Sequence, residues 1–174
     1  MKKGLMMGRL LLLDADVVIE LHKLGYWKGI TGRYKIHIAS TVLKEVTHYL
    51  DDSGKKTPID LSGDINSGKV KEESASLQEI QILLQRIPRD KIDLDAGELE
   101  SVTIISSHSA DELKICVIDK AAIKALSFLD LRDRAFSFEE VLINCGIWKK
   151  GDRISDPRFT KKRFESWAAE GDVL

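Results

Sequence analysis

The stretch Leu10-Leu11-Leu12-Leu13-Asp14-Ala15-Asp16-Val17-Val18 decides the fold of this chain. Its first four residues form a short, continuous apolar run, which is typical of a strand buried on both faces of a sheet. After Asp14 the apolar residues fall at helical intervals as far as Leu24, and Gly25 ends the predicted helix. The stretch therefore predicts a buried strand that leads directly into a helix, with Asp14 at the junction.

The same strand-to-helix pattern recurs along the chain. Lys35 to Ala39 alternates like a second strand, and Ser40 and Thr41 begin a helix that is predicted to continue to Leu50. Leu113 to Ile118 is the clearest further strand, and a helix from Ala121 to Leu129 follows it. Successive strand–helix units favour parallel strands, so we expect an α/β fold, a three-layer α/β/α sandwich with a central, mainly parallel sheet. Further helices are predicted at Ser74 to Ile87, Asp95 to Ser107 and Phe138 to Ile143, and short edge strands at Pro58 to Leu61 and at Val70.

Length and composition indicate one globular domain spanning residues 1–174. Of these 174 residues, 43% are hydrophobic and 32% are charged, and we place the core at about 9–146 and a C-terminal helical extension at about 147–174. Lysine and arginine number 27 and aspartate and glutamate 28, so no overall basic field attracts nucleic acid. Any such binding would need a local basic patch or a metal ion at the phosphate.

The cysteines and the N-terminal segment favour a cytoplasmic protein. Cys116 and Cys145 lie in apolar surroundings, as core residues do in a reducing compartment, and their spacing matches neither a disulfide framework nor a zinc motif. The apolar run after Arg9 is interrupted by Asp14 and Asp16, unlike that of a signal peptide. No apolar run in the sequence approaches membrane-spanning length.

Four acidic residues fall at matching places in the predicted elements. Asp14 follows a strand, and Glu45 lies in the first turns of the helix after another strand. Glu98 lies in the first turn of a helix, and Asp119 follows the clearest strand. Because the carboxyl ends of parallel strands share one edge of a sheet, where ligands bind, we expect these four side chains to lie together.

Carboxylates brought this close repel one another unless a cation neutralises them. Mg²⁺ and Mn²⁺ prefer oxygen ligands and keep bound waters. One or two such ions beside a phosphodiester would activate a water and stabilise the leaving oxygen. The four acids therefore predict hydrolysis that needs no histidine, serine or cysteine nucleophile.

Helix capping is the alternative explanation for each acid. An aspartate after a strand is often only the N-cap of the next helix, and Asp95 with Glu98 fits a capping box. Glu45 fits this explanation least, because it lies one place beyond the box position if Thr41 is the cap. Four acids along one expected sheet edge favour a site over four separate caps.

Four segments in this order resemble the PIN domain family of nucleases, which includes the toxins of many bacterial and archaeal toxin–antitoxin pairs. The resemblance covers roughly residues 9–146 and depends on order and spacing. The segments are Leu11-Leu12-Leu13-Asp14-Ala15-Asp16-Val17-Val18-Ile19, Ala39-Ser40-Thr41-Val42-Leu43-Lys44-Glu45-Val46, Leu94-Asp95-Ala96-Gly97-Glu98-Leu99-Glu100 and Cys116-Val117-Ile118-Asp119-Lys120-Ala121-Ala122.

The resemblance implies a Mg²⁺- or Mn²⁺-dependent endoribonuclease with RNA as its substrate. Its catalytic residues would be Asp14, Glu45, Glu98 and Asp119, and its metal ligands would be Asp14, Glu98, Asp119 and Asp16. The partners it suggests are an antitoxin protein and a second copy of the chain. Three positions depart from the family's commonest pattern: Asp16 replaces Asn, Ser or Thr, Glu98 replaces Asp, and Ile118 lacks a hydroxyl group.

Two other functions are open at this point. In a haloacid dehalogenase-like phosphatase, Asp14 would be a covalent nucleophile and Asp16 a general acid/base. The segment Gly151-Asp152-Arg153-Ile154-Ser155-Asp156 resembles the last acidic motif of that family, but no apolar strand precedes it. The third function is a catalytically silent PIN-like module that binds RNA or protein, helped by basic residues at Lys120, at Lys124 and in the C-terminal segment. A solvated helix face explains that basic segment equally well.

Overall fold

A parallel sheet forms the centre of the protein in the computed structural model, which describes residues 9–108, 112–148, 154 and 156–174. Within these residues the sheet has five strands, in the order β5-β2-β1-β6-β7. Each strand is parallel to its neighbours, so the expected α/β fold with a mainly parallel sheet is confirmed. The strands are β1 (Arg9–Leu13), β2 (Tyr34–Ala39), β5 (Val70–Glu73), β6 (Leu113–Cys116) and β7 (Ala135–Phe136).

Helices connect the strands, and a short antiparallel hairpin lies outside the main sheet. The hairpin consists of β3 (His48–Leu50) and β4 (Lys56–Pro58). The helices are α1 (Ala15–Lys23), α2 (Trp27–Thr31), α3 (Ser40–Glu45), α4 (Ser62–Asn66), α5 (Leu77–Arg86), α6 (Ala96–Ser107), α7 (Lys120–Phe128), α8 (Phe138–Asn144) and α9 (Lys161–Asp172). No helix in the described ranges is long and apolar enough to cross a membrane.

The leucine run forms the central strand, as its continuous apolar character predicts. Leu11, Leu12 and Leu13 are fully buried, since β1 has a neighbour on both sides and helices cover both faces of the sheet. In the register of the sheet, Leu13 lies beside Ile38 of β2 and Cys116 of β6. The chain leaves all three strands at the same edge, and Asp14 lies there.

The second predicted helix is shorter than its apolar spacing suggests. Helix α3 ends at Glu45, and the prediction that it continues to Leu50 is wrong. His48–Leu50 instead pairs with Lys56–Pro58, and a turn with Gly54 at φ +80° joins the two strands. The stretch Thr47-His48-Tyr49 is rich in β-formers, so cross-strand pairing overrides the helical periodicity there. Glu45 is consequently the last residue of its helix, and the prediction that it lies in the first turns is wrong.

The other predictions differ in smaller ways. Strand β6 ends at Cys116, two residues earlier than predicted, although Val117 and Ile118 remain buried. Strand β4 lies at Lys56–Pro58, so the predicted edge strand at Pro58 to Leu61 is displaced towards the N-terminus. The predicted edge strand at Val70 is present as β5, and the predicted helices at Asp95 to Ser107 and Phe138 to Ile143 are present as α6 and α8.

The C-terminal helix α9 packs closely against α7. Gly171 marks the crossing, because a Cβ atom there would lie 2.4 Å from the carbonyl oxygen of Lys124. Arg132 also donates to Asp172 at 3.0 Å. These contacts hold the C-terminal helix beside the helix that begins after Asp119.

Candidate functional site

Asp14 is a buried acid at the carboxyl end of the central strand. Its side chain is 7% exposed. Its backbone occupies the N-cap position of α1, but its side chain makes no capping hydrogen bond, so capping does not explain the carboxyl group. Burial raises the pKa of Asp14 to about 7, the Ala15 N–H lowers it, and the charges of Asp16, Asp95 and Glu45 raise it further.

Glu45 reaches from the end of α3 to the first turn of α6. A Cβ atom added to Gly97 would lie 3.3 Å from each carboxylate oxygen of Glu45 and 3.2 Å from Cγ2 of Val42. Desolvation raises the pKa of Glu45, and the charges of Asp95 and Asp16 add to this effect. Glu45 therefore belongs to the same group of acids as Asp14, although it follows a different strand.

Glu98 and Asp119 are in direct contact. Burial raises the pKa of Glu98, and the charges of Asp119 and Asp95 also raise it. The protonated carboxyl group of Glu98 shares a hydrogen bond with the Asp119 side chain. Both residues also cap helices: Glu98 accepts from the Asp95 N–H at 3.0 Å, and Asp119 accepts from the Ala121 N–H at 2.7 Å. Capping and a place in the acidic group are therefore compatible.

Asp95 links the two halves of this group. Its charge raises the pKa of Asp14, Glu45 and Glu98, and its side chain accepts from the Glu98 N–H at 2.8 Å. The sequence predicts Asp95 only as a helix cap, because the spacing Asp-x-x-Glu at a helix start is typical of that role. The second role arises only from the packing of α6 against the ends of β1 and α3.

Asp16 lies at the rim of the group and not in its interior. Its side chain is 57% exposed, and its Oδ2 lies 3.9 Å from Nη1 of Arg158. Asp156 holds the same guanidinium group through contacts of 3.0 and 2.8 Å from Nε and Nη2. Arg158 therefore places a positive charge beside Asp16, in the basic C-terminal segment; Lys149, Lys150 and Arg153 of that segment lie outside the described residues.

Glu100 is a buried acid of a different kind. It is 7% exposed, and its two carboxylate oxygens accept from the Thr41 N–H at 2.8 Å and the Ala75 N–H at 3.2 Å. These bonds tie α6 to the first turn of α3 and to the segment after β5. Glu100 therefore positions the helix that carries Glu45 and has no oxygen directed to the acidic group.

The donor set suits a hydrated divalent cation better than a cage of direct ligands. Across the ranges described, no three His, Cys, Asp or Glu side chains are arranged to hold one ion. Mg²⁺ usually binds proteins through one or two carboxylates and keeps several of its waters. The contacting pair Glu98 and Asp119 and the buried Asp14 offer carboxylate oxygens for such binding, with the other acids acting through water.

A surface cavity opens beside Glu98 and Asp119. Its volume is about 540 Å³, and acidic and basic side chains both line it. The acidic lining residues are Asp93, Asp95, Glu98 and Asp119, and the basic ones are Lys91, Lys120 and Lys124. A cavity with this lining admits a polyanion only if its acids are neutralised or if the lysines take part in binding.

No known family is assigned to the chain by comparison. No protein-family model matches it. No curated protein sequence matches it either. The PIN-like resemblance, the catalytic roles of Asp14, Glu45, Glu98 and Asp119 and the metal roles of Asp14, Asp16, Glu98 and Asp119 therefore stay predictions.

Proposed function

We propose that this chain is a ribonuclease that hydrolyses RNA phosphodiester bonds with a bound Mg²⁺ or Mn²⁺ ion. The observation that carries the proposal is the pair of buried acids, Asp14 and Glu98, with raised pKa values among further carboxylates at one sheet edge. Acids so arranged are costly to ionise without a nearby cation, and perturbed carboxyl groups of this kind mark functional sites.

Each acid has a distinct part in this proposal. Asp14, Glu98 and Asp119 hold the cation directly or through its waters, and in doing so they release their protons. Glu45 is exposed at the end of α3, so its carboxylate is placed to orient an attacking water and accept its proton. A bound divalent ion supplies charge stabilisation at the phosphate and a more acidic water.

The experiment that tests the proposal is metal-dependent cleavage of a fluorophore-quencher RNA. The wild type is expected to cleave with Mg²⁺ or Mn²⁺ and to stop with excess chelator, and Asp14→Asn is expected to abolish cleavage while its circular dichroism spectrum is retained. Asp52→Asn is the matched control, since Asp52 is an exposed residue of the β3–β4 turn. Full activity of Asp14→Asn, or equal activity in chelator, would overturn the metal mechanism.

Two assays separate the other functions. A phosphatase using Asp14 as nucleophile would turn over small phosphate monoesters and accumulate a phosphoenzyme. A silent binding module would retain RNA on a filter without cutting it in any metal. The toxin role, the antitoxin partner and the homodimer stay predictions from the resemblance.

A further inference from the structure

The cavity beside Glu98 and Asp119 has an acidic side and a basic side. Nζ of Lys124 lies 3.5 Å from the carbonyl oxygen of Lys91, so these two lysines meet at one end of the cavity. The capped helix starts that carry Glu98 and Asp119 form the other lining. The cavity therefore runs from the carboxylates to a pair of ammonium groups.

The two ammonium groups are not neutralised by the protein. Among the described residues, no carboxylate oxygen lies within 4.0 Å of Nζ of Lys91 or Lys124. Lys120 differs, because its Nζ contacts Oε2 of Glu170 at 2.8 Å. Lys91 and Lys124 are thus available to an anion, while the nearby acids attract a cation.

We propose that this cavity seats the RNA strand on one side of the scissile phosphate, with Lys91 and Lys124 contacting the neighbouring phosphate. The inference rests on the proposed ribonuclease function and extends it to how the substrate is held. A cation at Glu98 and Asp119 takes one phosphate, and the lysines at the far end take the next. Backbone phosphates supply the sequence-independent part of nucleic-acid binding.

The lining also indicates what this part of the site reads. None of the described residues that line the cavity is aromatic, so no ring there can stack on a base. Single-strand sites without such rings depend on charge along the backbone. The nucleotide in the cavity is therefore recognised through its phosphate, and its base contributes little to sequence preference.

The test is the salt dependence of RNA binding by full-length protein carrying Asp14→Asn, so that cleavage does not interfere. Binding of a fluorescein-labelled single-stranded RNA in Mg²⁺ is followed by anisotropy over a series of salt concentrations. With Lys91→Gln and Lys124→Gln added, the slope of log K against log salt becomes less steep by about 0.7 for each phosphate that the protein no longer neutralises.

Lys28→Gln with Lys69→Gln is the matched control, because it removes the same charge. Lys28 lies in α2 and Lys69 lies just before β5, both away from the carboxyl ends of the strands. This control is expected to keep the parent slope. Equal slopes for the cavity variant and the parent would overturn the inference. Absence of cleavage by the wild type would instead overturn the proposed function, so the two failures are distinguishable.

Discussion

The carboxylate of Glu45 lies directly over the α-carbon of Gly97. A Cβ atom at Gly97 would meet both carboxylate oxygens at 3.3 Å, so the absence of a side chain at this position lets α3 bring its last residue against the start of α6. Residues on two helices that are far apart in the sequence therefore share one corner of the acidic group. Gly97 is the residue that allows this approach.

Gly97→Ala is expected to lower kcat/KM for RNA by about fivefold, because Glu45 must move by a few tenths of an ångström and larger displacements in active sites cost about 100-fold per ångström. The free energy of unfolding should change by less than about 1 kcal/mol, since alanine is the better helix former. Gly63→Ala in α4 is the control, as a Cβ there meets no atom within 4 Å. Unchanged kcat/KM in Gly97→Ala would contradict the role of Glu45.

Asp14 should make the metal-free protein less stable as the pH rises. Its pKa in the folded protein, about 7, lies above the ordinary 3.8, so the folded state holds the proton more tightly than the unfolded state. This contribution is fully present below about pH 4 and is lost as the pH rises towards 7, at up to about 1.4 kcal/mol per pH unit. Urea unfolding in chelator should show a flatter pH profile for Asp14→Asn. Parallel profiles for the two proteins would contradict this prediction.

Glu98 and Glu100 should respond oppositely to the same substitution. Glu98→Gln keeps an oxygen for the Asp95 N–H and an N–H for Asp119, so we expect unchanged stability without metal and no stabilisation by added Mn²⁺. Glu100→Gln places an amide N–H against the Thr41 or Ala75 N–H, so we expect a loss of roughly 1–3 kcal/mol with the Mn²⁺ effect retained. Thermal unfolding with and without Mn²⁺ measures both. The reverse pattern would exchange the roles of the two residues.

Asp16 distinguishes the nuclease from the phosphatase. Its side chain is 57% exposed and lies 3.9 Å from Arg158, so a contribution to metal binding would pass through water. We expect Asp16→Asn to lower cleavage by about tenfold, the smaller end of what an outer-shell partner contributes to a metal site. A phosphatase would need Asp16 as its general acid/base. Complete loss of activity together with a trapped phosphoenzyme on Asp14 would favour that mechanism.

Local patterns in the sequence predict most elements that carry the acids. The leucine run predicts β1 because only a strand covered on both faces tolerates continuous apolar residues. The spacing of Asp95 and Glu98 predicts a capping box, and both of its hydrogen bonds are present. The helix after β2 is predicted too long, because the pairing of β3 with β4 is a contact between segments that helical periodicity does not register.

The sequence by itself determines that Asp14 ends a buried strand, since that follows from the character of a few adjacent residues. It does not determine how acids on different elements meet. The packing of α3 against α6 places Glu45 over Gly97, and the same packing makes Asp95 a shared neighbour and leaves Glu100 holding α3. Burial, and with it the raised pKa of Asp14, arises only when distant segments enclose the residue. Those contacts depend on tertiary structure because each joins side chains that no local repeat relates.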